Sequence, residues 1–217
     1  MKTLSLLVTR TLADLIAGIG GVPLERVRAF PPLGTATEAD VIRERESPER
    51  RLCELIDGIL VEKAMGAKES ILACELIHLL SIHVRGNRLG VVLGPDGMLR
   101  LSPGLVRIPD VSFIPWSQLP GRRVPDTAML EIPADLAVEV LSPSNTADET
   151  RRKLHDYFQA GTRLVWVIDP KKLTARTYTA PESSQAVGKS GSLDGGEVLP
   201  GFRVSLPELF GCLRDDH

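Results

Sequence analysis

No stretch of this chain is apolar for long enough to cross a membrane. Near its start Leu4, Leu6, Leu7 and Val8 are followed at once by Arg10 and Asp14, well short of the ~20 apolar residues a span needs. The basic start and small-residue cleavage site of a secretory leader are weak here too. Cysteine is scarce. Cys53, Cys74 and Cys212 are odd in number and none belongs to a C-x-x-C pair, which argues against a zinc site and against a disulfide framework. Buried thiols in a reducing compartment are the expectation, and with them a cytoplasmic protein. Excess positive charge is missing as well. The formal net charge is -2, so the basic footprint of a protein that grips nucleic acid non-specifically is absent, although a local basic groove stays open. Ser142 and Ser144 lack the G-x-S-x-G elbow of a serine hydrolase. His78 and His83 are five apart, which sets them on different sides of a helix and leaves no shared metal.

What is present is an ordinary globular composition, 43% hydrophobic and 25% charged over 217 residues, enough for one domain with a real core. Leu12, Leu15, Ile16 and Ile19 fall at helical spacing, ended by Gly20-Gly21. Thr37 is a candidate N-cap for a charged helix over 38–46. Two apolar runs flank Asp57-Gly58 and read as a hairpin over 52–63. Residues 68–85 carry Ile71, Leu72, Glu75, Leu76, Leu79, Leu80 and Val84 as a helical face. Strands are expected at 90–93, 98–101, 105–114 and 136–141, with a proline-rich connection over 115–133. Thr146-Ala147-Asp148-Glu149 fits a capping box, opening a helix that Gly161 closes. Leu164-Val165-Trp166-Val167-Ile168 is apolar on both faces, as in a covered central strand. Another strand follows over 173–179. The Ser/Gly-rich 181–196 reads as mobile, and Phe202, Val204, Leu206, Leu209 and Phe210 as a tail that packs back. The order implies a mixed sheet with helices on its faces, an α/β or α+β domain.

Chemistry concentrates between Arg107 and Gly161. Asp110 and Glu139 each stand alone among apolar strand residues, where a lone charge is costly to bury. Glu139 shares a strand face with Ala137 and Leu141, and Asp110 shares one with Ile108 and Ser112. If the two strands pair antiparallel in suitable register, the carboxylates sit together. They would then repel unless a cation lies between them. Spacing alone leaves two readings, a divalent-metal site or a pair of solvated edge carboxylates. Lys153, four residues before Tyr157, lies at the edge of the next helix's core-facing stripe, and its stem is long enough to reach Glu139. On that reading alanine replaces it at little cost to folding. Arg151 and Arg152 beside it are candidate phosphate contacts, with Arg122 and Arg123 lining the same groove.

Pro109-Asp110 followed by Glu139 on the next strand resembles the PD-(D/E)XK nuclease superfamily. More narrowly, the chain is similar to the Uma-two family of bacterial restriction-endonuclease-like proteins. The motifs are Glu54-Leu55-Ile56-Asp57-Gly58, Ile108-Pro109-Asp110-Val111, Glu139-Val140-Leu141-Ser142-Pro143-Ser144, Lys153 with Tyr157 and Ala160-Gly161, and Val165-Trp166-Val167-Ile168-Asp169-Pro170. The resemblance implies a restriction-endonuclease-like mixed β-sheet flanked by helices over 38–217, with 1–37 a helical lead-in. It implies Mg²⁺ or Mn²⁺ as cofactor, DNA as partner and, by analogy, a homodimer. It assigns Asp110 and Glu139 to the metal and, with Lys153, to catalysis as an endonuclease. The chain departs from the superfamily pattern at Leu141, where the lysine two residues after the second acid usually stands; Lys153 would replace it. Glu54, Glu69 and Glu75 are candidates for a further acid. The alternative is a non-catalytic nucleic-acid-binding, regulatory or scaffold protein on the same fold.

Overall fold

At Ile108-Pro109-Asp110 the backbone leaves one β-sheet and enters another, and the rest of the architecture is arranged around that crossing. The computed structural model describes residues 11–64 and 66–213; the Leu4, Leu6, Leu7 and Val8 stretch lies outside them. The first sheet has strands β1 (Cys53–Ile56), β2 (Ile59–Glu62), β4 (Leu99–Ser102) and β5 (Leu105–Arg107) in the order β2-β1-β5-β4. The second has β3 (Gly90–Leu93), β6 (Val111–Pro115), β7 (Leu136–Val140), β8 (Leu164–Asp169), β9 (Thr174–Ala180) and β10 (Ser183–Val187) in the order β10-β9-β8-β7-β6-β3. Only its β7–β8 pair is parallel, joined through a helix as a parallel crossover requires. A small pair, β11 (Ser192–Asp194) with β12 (Arg203–Ser205), follows.

Among the described residues five α-helices cover the sheets: α1 (Leu12–Gly18), α2 (Glu38–Glu46), α3 (Ala67–Gly86), α4 (Ala147–Ala160) and α5 (Leu206–Gly211). Side-chain alternation divides the core between them. On the second sheet Leu136, Val138, Val140, Leu164, Trp166 and Ile168 pack with Leu72, Leu76 and Leu80 of α3. The opposite face carries Ala137, Val165 and Val167 against Leu154 and Tyr157 of α4. On the first sheet Leu55 meets Val41 of α2, while Ile56 and Ile59 meet Ile19 and the partly buried Leu15 and Ile16. Helix α4 is therefore walled by apolar side chains of the second sheet, and it also reaches charged groups of the first. None of the described helices is long and apolar enough to cross a membrane.

Local chemistry accounts for most of these elements. Asp57 and Gly58 both hold positive φ, 50° and 73°, the backbone a tight two-residue hairpin needs. Thr37 and Asp40 close a capping box on α2. Thr146 accepts from the Glu149 amide at the start of α4, and Gly161 ends it in the left-handed conformation at φ 109°. The expected 105–114 strand is two strands, because Pro109 has no N–H for a ladder and the chain changes sheet there. Residues 181–196 are not a loose loop. They form β10 and β11, anchored by the buried Val187 and Leu193. On α3 the buried stripe is Leu72, Ala73, Leu76, Leu80 and Val84, and Ile71 lies exposed.

Candidate active site

Register brings the two expected acids together. Strands β6 and β7 run antiparallel with Val111 opposite Val138, which sets Asp110 beside Glu139. The Asp110 amide donates to Val138 O at 2.9 Å. Its own Oδ2 accepts from the Val140 amide at 2.7 Å, so the carboxylate is tied to the strand that carries Glu139. Both acids are more than nine-tenths buried. Asp110 Oδ1 accepts an ion pair from Lys63 Nζ at 2.9 Å. That ammonium also donates to the carbonyls of Ile108, at 2.7 Å, and Pro95, at 3.1 Å.

Glu139 points at α4. Its Oε2 accepts from Lys153 Nζ at 2.8 Å and its Oε1 from the Tyr157 hydroxyl. The Lys153 ammonium lies 3.5 Å from Glu54 Oε1 as well, so one lysine serves two carboxylates. Burial, then the nearby charges of Asp110 and Glu54, push the Glu139 carboxyl above the ordinary range against the pull of Lys153. Burial would raise Glu54 too, but Lys153 and Arg107 outweigh it and hold that carboxyl at about 2. Lys153 is raised: burial opposes its charge, and Glu139 and Glu54 more than compensate. Burial and the Glu139 charge both lift Tyr157, which stays a neutral donor.

A second rank of ion pairs fixes these groups. Arg107, fully buried, donates to Glu54 Oε2 at 2.8 Å and to Asp156 of α4. Arg152 donates to the other Asp156 oxygen at 3.0 Å, to Asp57 and to the Gly18 carbonyl. At the start of α4, Glu149 accepts both ends of the Arg26 guanidinium, at 2.9 and 3.0 Å, with Asn145 as a further donor. Such pairs offset their dehydration only when the geometry and remaining hydrogen bonds are good, as they are here.

The structure thus brings Asp110, Glu139 and Lys153 together and adds Glu54 from β1. Glu69 is buried beside Gly66 at the start of α3. Glu75 lies further along that helix, near Cys212. Helix α3 covers the face of β7 opposite Glu139. Arg151 is exposed and pairs with Asp148 within its own helix. Arg152 is engaged by Asp57 and Asp156, and Arg122 and Arg123 are exposed on the 115–133 connection. His83 sits edge-on to Phe202, away from the acids. In sequence Lys63 is only the end of the hairpin, and the pattern gives Arg107, Asp156 and Arg26 no role. The signal for Lys63 was available: a lone buried aspartate in an apolar strand requires a counter-charge from somewhere in the chain.

The mixed sheet flanked by helices is a nuclease-like, restriction-endonuclease-like fold, and the lysine beside its carboxylate pair comes from a helix instead of the second acid's strand. The family model described as "Uma2: Putative restriction endonuclease" matches residues 41–207, and the chain belongs to that family. A crystal structure from Anabaena variabilis ATCC 29413, described as a putative nuclease belonging to DUF820, matches with a TM-score of 0.71 at 20% identity. The match covers 82% of this chain and 99% of that one, and speaks for the fold. No curated protein matches the chain.

Proposed function

We propose that this protein is a Mg²⁺- or Mn²⁺-dependent endonuclease that hydrolyses phosphodiester bonds of DNA at the Asp110–Glu139 centre. The observation that carries the reading is the cross-strand pair of buried carboxylates with the Lys153 ammonium held on one of them. The donor set is all oxygen, as a hard cation prefers. Among the described residues no cluster of three or more potential ligands is poised for a metal. The pair therefore suits an ion that keeps most of its shell as water and substrate oxygens, as Mg²⁺ does. When bound, the ion would activate a water and stabilise charge developing on phosphorus. Asp110, tied to the Val140 amide, and Glu139, tied to Tyr157, would hold it. Lys153 orients Glu139 and supplies positive charge beside the reacting phosphate. Arg151, Arg122 and Arg123 remain the candidate phosphate contacts, and Arg152 acts mainly through Asp57 and Asp156. Cutting both strands of a duplex calls for two copies of the site, hence a homodimer, and the cytoplasm is where such a protein meets DNA.

The test is incubation of purified protein with supercoiled plasmid and with single-stranded DNA, in Mg²⁺, Mn²⁺ or EDTA. Nicking with either metal, lost in EDTA and in Asp110→Asn, is expected. No cleavage under any condition would reject the enzyme. A second reading, a non-catalytic nucleic-acid-binding or scaffold protein, is favoured by one observation: each oxygen of Asp110 and Glu139 already accepts a hydrogen bond or an ion pair. Salt-sensitive DNA binding without cleavage would support it.

A further inference from the structure

We infer that Lys63 is a displaceable counterion, holding the Asp110 oxygen that the metal must take, and that metal loading proceeds by its release. The inference rests on the metal-dependent reading above and adds a regulatory residue to that site. It starts from charge balance. Glu54, Asp110, Glu139 and Asp156 face Lys63, Lys153, Arg107 and Arg152, the last shared with the exposed Asp57, so the buried centre is close to neutral before any ion arrives. A divalent cation entering that dehydrated space would leave it strongly positive, which a low-dielectric interior does not tolerate. One resident cation has to move.

The geometry distinguishes which one. Arg107 is fully buried and held by two carboxylates. Arg152 is held by Asp57, Asp156 and a backbone carbonyl, outside the Asp110–Glu139 pair. Lys153 lies between Glu139 and Glu54 on the core-facing side of a 14-residue helix. Lys63 differs from all three. Its ammonium meets one carboxylate and two neutral carbonyls. It is also the residue immediately after β2, where regular structure stops before α3. A lysine stem at the end of a strand can swing its ammonium outward with little backbone change.

Two of the remaining oxygens carry donors compatible with a bound ion, whereas Glu139 Oε2 is held by the Lys153 ammonium at 2.8 Å and is left to it. The Val140 amide on Asp110 Oδ2 and the Tyr157 hydroxyl on Glu139 Oε1 are neutral, and each carboxylate oxygen has a second lone pair. The ammonium on Asp110 Oδ1 is a like charge at about the distance of direct contact. Lys63 and a metal on that oxygen are thus mutually exclusive, while the other two can coexist with it.

The experiment is calorimetric titration of Mn²⁺ into wild type, Lys63→Met, Lys63→Gln and Asp110→Asn, with thermal melts of each in EDTA and in Mn²⁺. The Lys63 variants should bind Mn²⁺ at least ~10-fold more tightly than wild type. They should melt lower in EDTA, where Asp110 is left without its counter-charge, and gain more from Mn²⁺ by mass action. Equal or weaker binding by both variants, with Asp110→Asn silent, would overturn the role of Lys63 and leave the metal site standing. Binding by none of the proteins would overturn the metal-dependent reading itself, and this inference with it. Should the variants not fold, wild type labelled at lysine Cε gives the answer: Mg²⁺ should move the Lys63 resonance. A fixed resonance under Asp110-dependent Mg²⁺ binding would refute the inference.

Discussion

Glu54 shows how much one carboxylate can carry. Its side chain meets Arg107, Lys153 and the Ile108 amide, and its carboxyl is held at about 2 against an unfolded value near ~4.3. A depressed acid contributes stability that is fully present above its unfolded pKa and fades as pH falls toward the folded value. The window here runs from roughly pH 4 down to about 2, and the linkage is worth about 3 kcal/mol. Glu54→Gln should therefore unfold more easily in urea at pH 7 by about 3–5 kcal/mol, with the gap closing as pH drops through that window. A pH-independent gap would contradict it. Lys153 behaves in a related way. Read from sequence, alanine replaces it at little cost to folding; its burial between Glu139 and Glu54 overturns that. Lys153→Met should lower stability by about 3–5 kcal/mol, and cleavage by ~10²–10⁴-fold where the protein is still folded.

At the scale of elements, the legible parts were those set by local chemistry. The Asp57-Gly58 hairpin, the Thr37 cap, the α4 limits at Thr146 and Gly161, and the doubly covered β8 all follow from short-range pattern. The antiparallel register that joins Asp110 to Glu139 is not legible locally, because register depends on partners distant in sequence. The pattern at Thr146 expects Glu149 to close a capping box; its carboxylate turns instead to Arg26, 123 residues away in the chain. Nothing local announces such a choice. The same contact makes the lead-in structurally exacting. The Thr146 hydroxyl donates to Gly20 O, and a Cβ on Gly20 would lie 2.7 Å from Glu149 Cα at a φ of 92°. Gly21, at φ 60°, has open space around it. Gly20→Ala should cost on the order of 2–4 kcal/mol in thermal or urea unfolding, and Gly21→Ala on the order of 1. Equal effects would mean that backbone strain, and not the approach to α4, sets the penalty.

For the molecule as a whole, cysteine chemistry offers a simple check on packing. Cys53 is buried in the hairpin and its thiol is pushed up to about 12, by burial and then by Glu44, while Cys74 and Cys212 are exposed. A disulfide reagent at pH 8 should titrate two thiols in the native protein and the third only in denaturant; rapid modification of all three would mean the first sheet opens readily. The same whole-molecule view bears on how the chain folds. The charged centre draws Glu54 and Arg107 from one sheet, Asp110 and Glu139 from the other, and Lys153 and Asp156 from the helix. Glu139 and Lys153 are 14 residues apart, but Arg107 is paired across 53 residues with Glu54 and 49 with Asp156, and the brace from Arg26 spans 123. Loops that long close late, and charges left without partners stay in water. A nascent or half-folded chain therefore has every one of these residues and no centre. Any chemistry arises only with the last step of assembly, when both sheets have docked on α4.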